Sequence, residues 1–220
     1  MSKYYPNNNE QIQFLINVLE ITQNSRGLDL GCEDGCHLKE LQKISKNIYG
    51  VDLLDQENLD NFTKLNFFKD SIPIQDLDFV YCLAPYFGQD WWNLQYLLKN
   101  INQSLKIDGY FVLDLFEFNS KPIDSQKHYF VQNRNNTILS LFTRQKDRML
   151  LERTIIDKKG KEEIIEGIWR VFDYRVIAEE LYQAGFAIVN QYSGFGEYTD
   201  VNWENGAEGK RIILKICKFK

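Results

Sequence analysis

Apolar residues recur at Ile12, Leu15, Ile16 and Leu19 with polar residues between them, the spacing of one buried stripe, and this predicts a leading helix over 10–22. A short apolar run over 26–31 ends in Gly31, and helical spacing resumes over 35–46 through Leu38, Leu41 and Ile44. Strand, tight turn and helix are expected in succession. The pattern repeats: 47–52 reads as a strand, Phe67 and Phe68 as a short one, 77–83 as a buried one and 110–116 as another. Helical spacing fills 91–105, and Gly109 supplies a stop and a turn. Strands alternating with helices predict a parallel sheet covered on both faces.

After Phe118 the texture changes. Residues 129–131, 138–143, 149–156 and 164–172 are strand-like runs broken by polar clusters at 133–136 and by Lys158, Lys159 and Gly160, which predicts hairpins. Residues 174–184 return to helical spacing and stop at Gly185, and 186–192 and 211–219 read as two last strands. The polar, glycine-rich stretch 194–209 between them reads as a surface loop.

The chain has 220 residues, enough for one well-filled domain. Its 44% apolar and 26% charged residues are those of a globular protein, and no run approaches the ~20 apolar residues of a membrane span. A net charge of −5 gives no general attraction to a phosphate backbone, so nucleic acid is not an expected partner. The polar, Asn-rich residues 1–13 lack the basic start and apolar core of an export signal. Four cysteines scattered among apolar segments read as reduced thiols. Both features predict a cytoplasmic protein.

The segment that carries chemistry is Leu28-Asp29-Leu30-Gly31-Cys32-Glu33-Asp34-Gly35, a strand end whose glycines let the backbone approach a ligand before a helix starts. Asp52 ends the next strand about 20 residues on, where a ribose diol needs an acceptor. A nicotinamide dehydrogenase would need Gly-x-Gly-x-x-Gly, a spacing this turn does not have. Cys32, Cys36 and His37 supply three metal donors at most, partly inside the turn, so no metal is expected.

These residues resemble the first motif of the class I S-adenosylmethionine-dependent methyltransferases, Leu-Asp-Leu-Gly-Cys-Gly-x-Gly. The resemblance continues through Tyr49-Gly50-Val51-Asp52-Leu53, Lys69-Asp70-Ser71, the run from Leu77 to Leu83, the turn and strand from Leu105 to Asp114, and the helix end from Glu180 to Phe186. It implies a Rossmann-like α/β fold: a seven-stranded, mostly parallel sheet with one reversed strand at its edge, helices on both faces, and an antiparallel insertion after the fifth strand. The whole chain, 1–220, is then one domain, with 118–172 covering the mouth of the active site.

The resemblance implies S-adenosylmethionine as cofactor, held by Asp29, Gly31, Cys32 and Gly35 at the turn, Asp52 at the ribose, Leu53, Asp70 and Ser71 at the adenine, and Leu83 below. It implies methyl transfer to a small-molecule acceptor; a cofactor-binding sensor or partner subunit without catalysis is the alternative. Tyr4 and Tyr5 as a flap, Tyr86 at a rim turn and Trp169 on a hairpin are the candidate acceptor contacts. His128 is a candidate base, although a lone histidine near a hairpin is commonly structural. One position departs from the motif: Glu33 stands where the family has its middle glycine. The acceptor's identity and the oligomeric state are not legible.

Overall fold

The computed structural model describes residues 8–56, 58–83, 93–117, 126–132, 136–145, 148–170, 174–192, 194–195 and 210–220. Fifteen elements follow one another: α1 (Asn8–Leu19), β1 (Gly27–Leu30), α2 (Cys36–Leu41), β2 (Ile48–Asp52), β3 (Phe62–Lys64), β4 (Leu77–Cys82), α3 (Leu94–Ser104), β5 (Leu105–Glu117), β6 (Gln126–Gln132), β7 (Asn136–Gln145), β8 (Arg148–Asp157), β9 (Glu162–Arg170), α4 (Tyr174–Gln183), β10 (Phe186–Tyr192) and β11 (Lys210–Lys218).

Seven strands form one sheet in the order β10-β11-β5-β4-β1-β2-β3. Pairing is parallel from β3 to β5, and β11 runs against both β5 and β10. The reversed strand therefore lies one place in from the edge, because β10 turns back onto β11 and takes the outer position. The sheet is buried on both faces, which is why β1 and β4 are nearly continuous apolar runs. On one face Ile12, Leu15 and Leu19 of α1 pack with Leu38 and Leu41 of α2. On the other, Leu94, Leu97, Leu98 and Ile101 of α3 join Ile177 and Leu181 of α4.

The third strand is Phe62–Lys64, and Phe67 and Phe68 lie in the turn after it. That turn is fastened by side chains: Asn93 Nδ2, Tyr96 Oη and Asn100 Nδ2 donate to the carbonyls of Phe68, Lys69 and Asp70 at 2.9, 3.0 and 3.2 Å. The Gly109 turn survives as a bulge inside β5, since Leu77 pairs with Leu105 while Phe79 pairs with Tyr110.

The four strand-like runs after Phe118 form a separate antiparallel sheet in the order β6-β7-β8-β9. Because β5 is parallel to β4, its Glu117 end lies at the carboxyl edge of the main sheet, and this second sheet departs from there. Among the described residues no helix is long and apolar enough to cross a membrane.

Candidate functional site

The turn after β1 doubles back through three left-handed residues at alternate positions, Gly31 (φ 81°), Glu33 (φ 46°) and Gly35 (φ 71°). Its amides are used internally. Gly31 and Cys32 N–H donate to the Val51 carbonyl at 2.9 and 3.2 Å, and Gly35 N–H donates to the Cys32 carbonyl at 2.8 Å. The glycine-31 amide thus faces β2, and what the turn offers outward is the bare Cα of Gly31, where an added Cβ would meet only Phe67 Cζ, at 3.9 Å. Gly35 has a different neighbour: a Cβ there would overlap Leu59 at 2.5 Å. Cys32 is buried, with its Sγ 2.9 Å from where a Cβ on Gly50 would stand.

Asp29 and Asp52 flank this turn. Asp52 ends β2, and its carboxylate accepts Glu33 N–H at Oδ2 and Leu54 N–H at Oδ1, both at 2.9 Å. Asp29 is 3% exposed, and its Oδ2 has no hydrogen-bond partner. Burial is the largest influence on Asp29 and carries its pKa up to about 8; the Tyr81 hydroxyl pulls it down, and the charges of Asp52, Glu33 and Asp34 push it further up. The Tyr81 hydroxyl itself lacks a partner of good geometry, although Tyr81 stands opposite Asp29 in the β1–β4 ladder. Glu33 is half-buried and is also raised, first by burial and then by Asp34 and Asp52.

Beyond Asp52 the chain exposes Leu53 and Leu54, 56% and 67% accessible, an apolar surface beside a carboxylate at the carboxyl edge. Asp70 and Ser71 are exposed and lie past the fastened turn, where Asp70 Oδ2 accepts Asn66 N–H at 3.1 Å. Leu83 follows β4 and packs partly against the α1–α2 core. Tyr4, Tyr5 and Tyr86 lie outside the described residues. Trp169 belongs to β9 and is paired with Met149, and His128 is exposed on β6.

Cys36 and His37 are structural neighbours: Cys36 Sγ lies 3.8 Å from His37 Nδ1, and His37 Nε2 lies 2.6 Å from Gln11 Oε1, which ties α2 to α1. Burial lowers the His37 pKa to about 4 and lifts the Cys36 thiol to about 12. Among the described residues no group of three or more metal-binding side chains assembles.

Sequence reasoning missed two residues. Asn66 is the second residue after β3, at the carboxyl edge beside Asp52, and its Oδ1 accepts Phe68 N–H at 3.2 Å. It was overlooked because the strand was expected at Phe67. Tyr81 carried a visible signal, a phenol inside an otherwise apolar buried strand. Only the register puts it opposite Asp29. A hollow of ≈ 470 Å³ lies apart from these residues, between α1 residues such as Gln13 and Phe14 and the chain at and just past the end of β10, Tyr192 and Phe195.

No family model and no curated protein matches the sequence. Solved structures do match the fold. An S-adenosylmethionine-dependent methyltransferase from Clostridium acetobutylicum superposes with a TM-score of 0.77 at 16% identity, over 96% of this chain and 92% of its own. The CcbJ methyltransferase from Streptomyces caelestis gives 0.76 at 14% identity, over 98% and 91%. CalS10, an amino pentose methyltransferase from Micromonospora echinaspora with S-adenosylmethionine bound, gives 0.66 at 16%, over 97% and 92%. The chain has the fold of the class I S-adenosylmethionine-dependent methyltransferases.

Proposed function

We propose that the chain is a cytoplasmic enzyme that transfers a methyl group from S-adenosylmethionine to a small-molecule acceptor. The observation that carries this reading is the pairing of a buried, unpartnered Asp29 Oδ2 with the open face of left-handed Gly31 at the carboxyl edge of a methyltransferase fold. A buried polar atom without a partner is costly unless something supplies one. The residues present fit the cofactor: Asp29 and Gly31 border its methionine end, Asp52 retains acceptor capacity for ribose hydroxyls, Leu53 offers an apolar surface to the adenine, and Leu83 lies below. Cys32 and Gly35 shape the turn from behind, and Asn66 joins Asp70 and Ser71 at the adenine edge.

When bound, the cofactor supplies a methyl group already activated on a sulfonium sulfur, so the protein needs no nucleophile of its own. The chain's residues hold and align the two reactants and exclude water. Sheets of this kind bind ligands beyond the carboxyl ends of their strands. Tyr4, Tyr5, Tyr86 and Trp169 are the proposed acceptor contacts, and 118–172 the proposed cover. Similar structures titled as a sugar N-methyltransferase and an amino pentose methyltransferase support a small acceptor. The four free cysteines accord with a reducing compartment.

Mass spectrometry of the purified protein should detect S-adenosylmethionine or S-adenosylhomocysteine, and calorimetry should show both binding. No heat with either ligand overturns the proposal, and methyl transfer only to RNA or protein overturns the acceptor class. Glu33, a carboxylate where the motif has glycine, favours a second reading as a cofactor-binding subunit without catalysis. Binding without turnover across an acceptor panel, together with a stable partner in pull-downs, would support that reading.

A further inference from the structure

We infer that Glu33 makes this site select the positively charged methyl donor over its spent, uncharged product, an inference that rests on the cofactor assignment above. The turn brings four carboxyl groups together: Asp29, Glu33, Asp34 and Asp52. Glu33 N–H donates to Asp52 Oδ2 at 2.9 Å, and Asp34 Oδ1 accepts Cys36 N–H at 3.1 Å. Lysines pair with acids elsewhere, as in Lys43–Glu40, Lys64–Asp55 and Lys106–Asp78, and among the described residues none of these four carboxyl groups has a lysine or arginine salt-bridge partner. The Asp29 Oδ2 is buried and has no partner.

A second observation concerns the backbone. Glu33 sits at φ 46°, a conformation in which glycine is cheaper than any residue with a Cβ. Glu20, Asn61, Asp76 and Asp108 share such a φ, but Glu33 alone among them lies in the turn with Asp29 and Asp52, and it stands where the motif has a glycine. S-adenosylmethionine carries an ammonium, a sulfonium and a carboxylate, for a net charge of one. Methyl transfer removes the sulfonium charge and leaves a neutral product. An acidic turn without a resident cation holds the first more tightly than the second, and one added carboxylate at a half-buried site is worth about tenfold in that ratio. Product leaves more readily as a result.

The test is calorimetric titration of the wild-type chain, Glu33→Gln and Glu33→Gly with three ligands: S-adenosylmethionine, S-adenosylhomocysteine and sinefungin, an analogue with an amine cation in place of the sulfonium methyl. The wild type should bind both cationic ligands at least about tenfold more tightly than the product, a preference that shrinks with added salt. Both variants should lose about tenfold of that preference while binding the product no worse. Thermal melts of the variants confirm that they are folded, and Glu33→Gly serves as the variant that suits the backbone. An unchanged preference in two folded variants overturns the inference and leaves the cofactor assignment standing. No binding of any of the three ligands to the wild type overturns the assignment itself, and the inference with it.

Discussion

The two sheets of this molecule solve the burial problem in opposite ways. The seven-stranded sheet is covered on both faces, so β4 keeps five of its six residues buried, and Asp52 at the end of β2 is held by the amides of Glu33 and Leu54. The four-stranded sheet is covered on one face: Met149, Leu151 and Ser140 are buried there, with Arg153 Nε donating to Ser140 Oγ at 3.0 Å. Its other face shows a row running across the strands, Phe130 opposite Leu139, Leu139 opposite Thr154, and Thr154 opposite Ile164. Phe130 and Ile164 in that row are 62% and 69% exposed. The acids sit on the sheet that is buried on both sides, and the appended sheet leaves an apolar row in the open.

The largest effect that could break this contrast comes from the two cores. Leu98→Ala, at a fully buried position on α3, should cost about 2–5 kcal/mol in urea unfolding, whereas Ile164→Ser should stay within about 0.5 kcal/mol. Equal losses would mean that the exposed row is a working core.

Next comes the pH dependence set by the buried Asp29 and His37. Asp29 keeps its proton up to about pH 8 in the folded chain but releases it near its ordinary 3.8 when unfolded, so the folded chain holds the extra proton and stability declines as pH rises through that window. His37 works the other way: its pKa falls from 6.5 to about 4 on folding, and stability rises with pH between those values. The two oppose each other below pH 6.5, and only the decline from Asp29 remains from 6.5 to 8. Asp29→Asn should remove that decline, worth at most about 1.4 kcal/mol per pH unit for one proton. Denaturation midpoints at pH 6.5, 7.25 and 8 measure it, and parallel slopes for wild type and variant would show that Asp29 is ionised throughout.

The smallest effect contrasts two left-handed positions, one in each sheet's turns. Glu33→Gly should stabilise by about 0.5–1 kcal/mol by relieving the backbone, while Gly160→Ala, at φ 77° with nothing nearby for a Cβ to meet, should destabilise by about 1 kcal/mol. Thermal melts read both, and shifts of the same sign would contradict the backbone argument.

Much of the main sheet was legible because its strands are apolar runs bounded by glycine. β10 begins at Phe186 directly after left-handed Gly185, where the sequence places it. The edge strand β3 was not legible, because its three residues are only half-buried or exposed and carry no apolar run. The two adjacent phenylalanines that drew the strand to 67 instead pack at 5.0 Å in a turn, closed by Asn66 and Asp70 bonds that leave no periodic trace. At the site, the acids and glycines were visible as a motif. The direction of the Gly31 amide, the place of Tyr81 opposite Asp29 and the position of Asn66 depended on register between strands far apart in sequence.

Strands β5 and β10 both end on one rim of the main sheet, at Glu117 and Tyr192, and β11 begins on that same rim. Lys210 resumes pairing opposite Glu117 there, the first of eight consecutive pairs between β11 and β5. The ladder's register is thus set by β5 and β11 themselves, from Glu117 inward, and not by what the chain inserts beyond that rim. A lineage could thus retune what the rim recognises while inheriting the scaffold intact, and an engineer could graft there for the same reason.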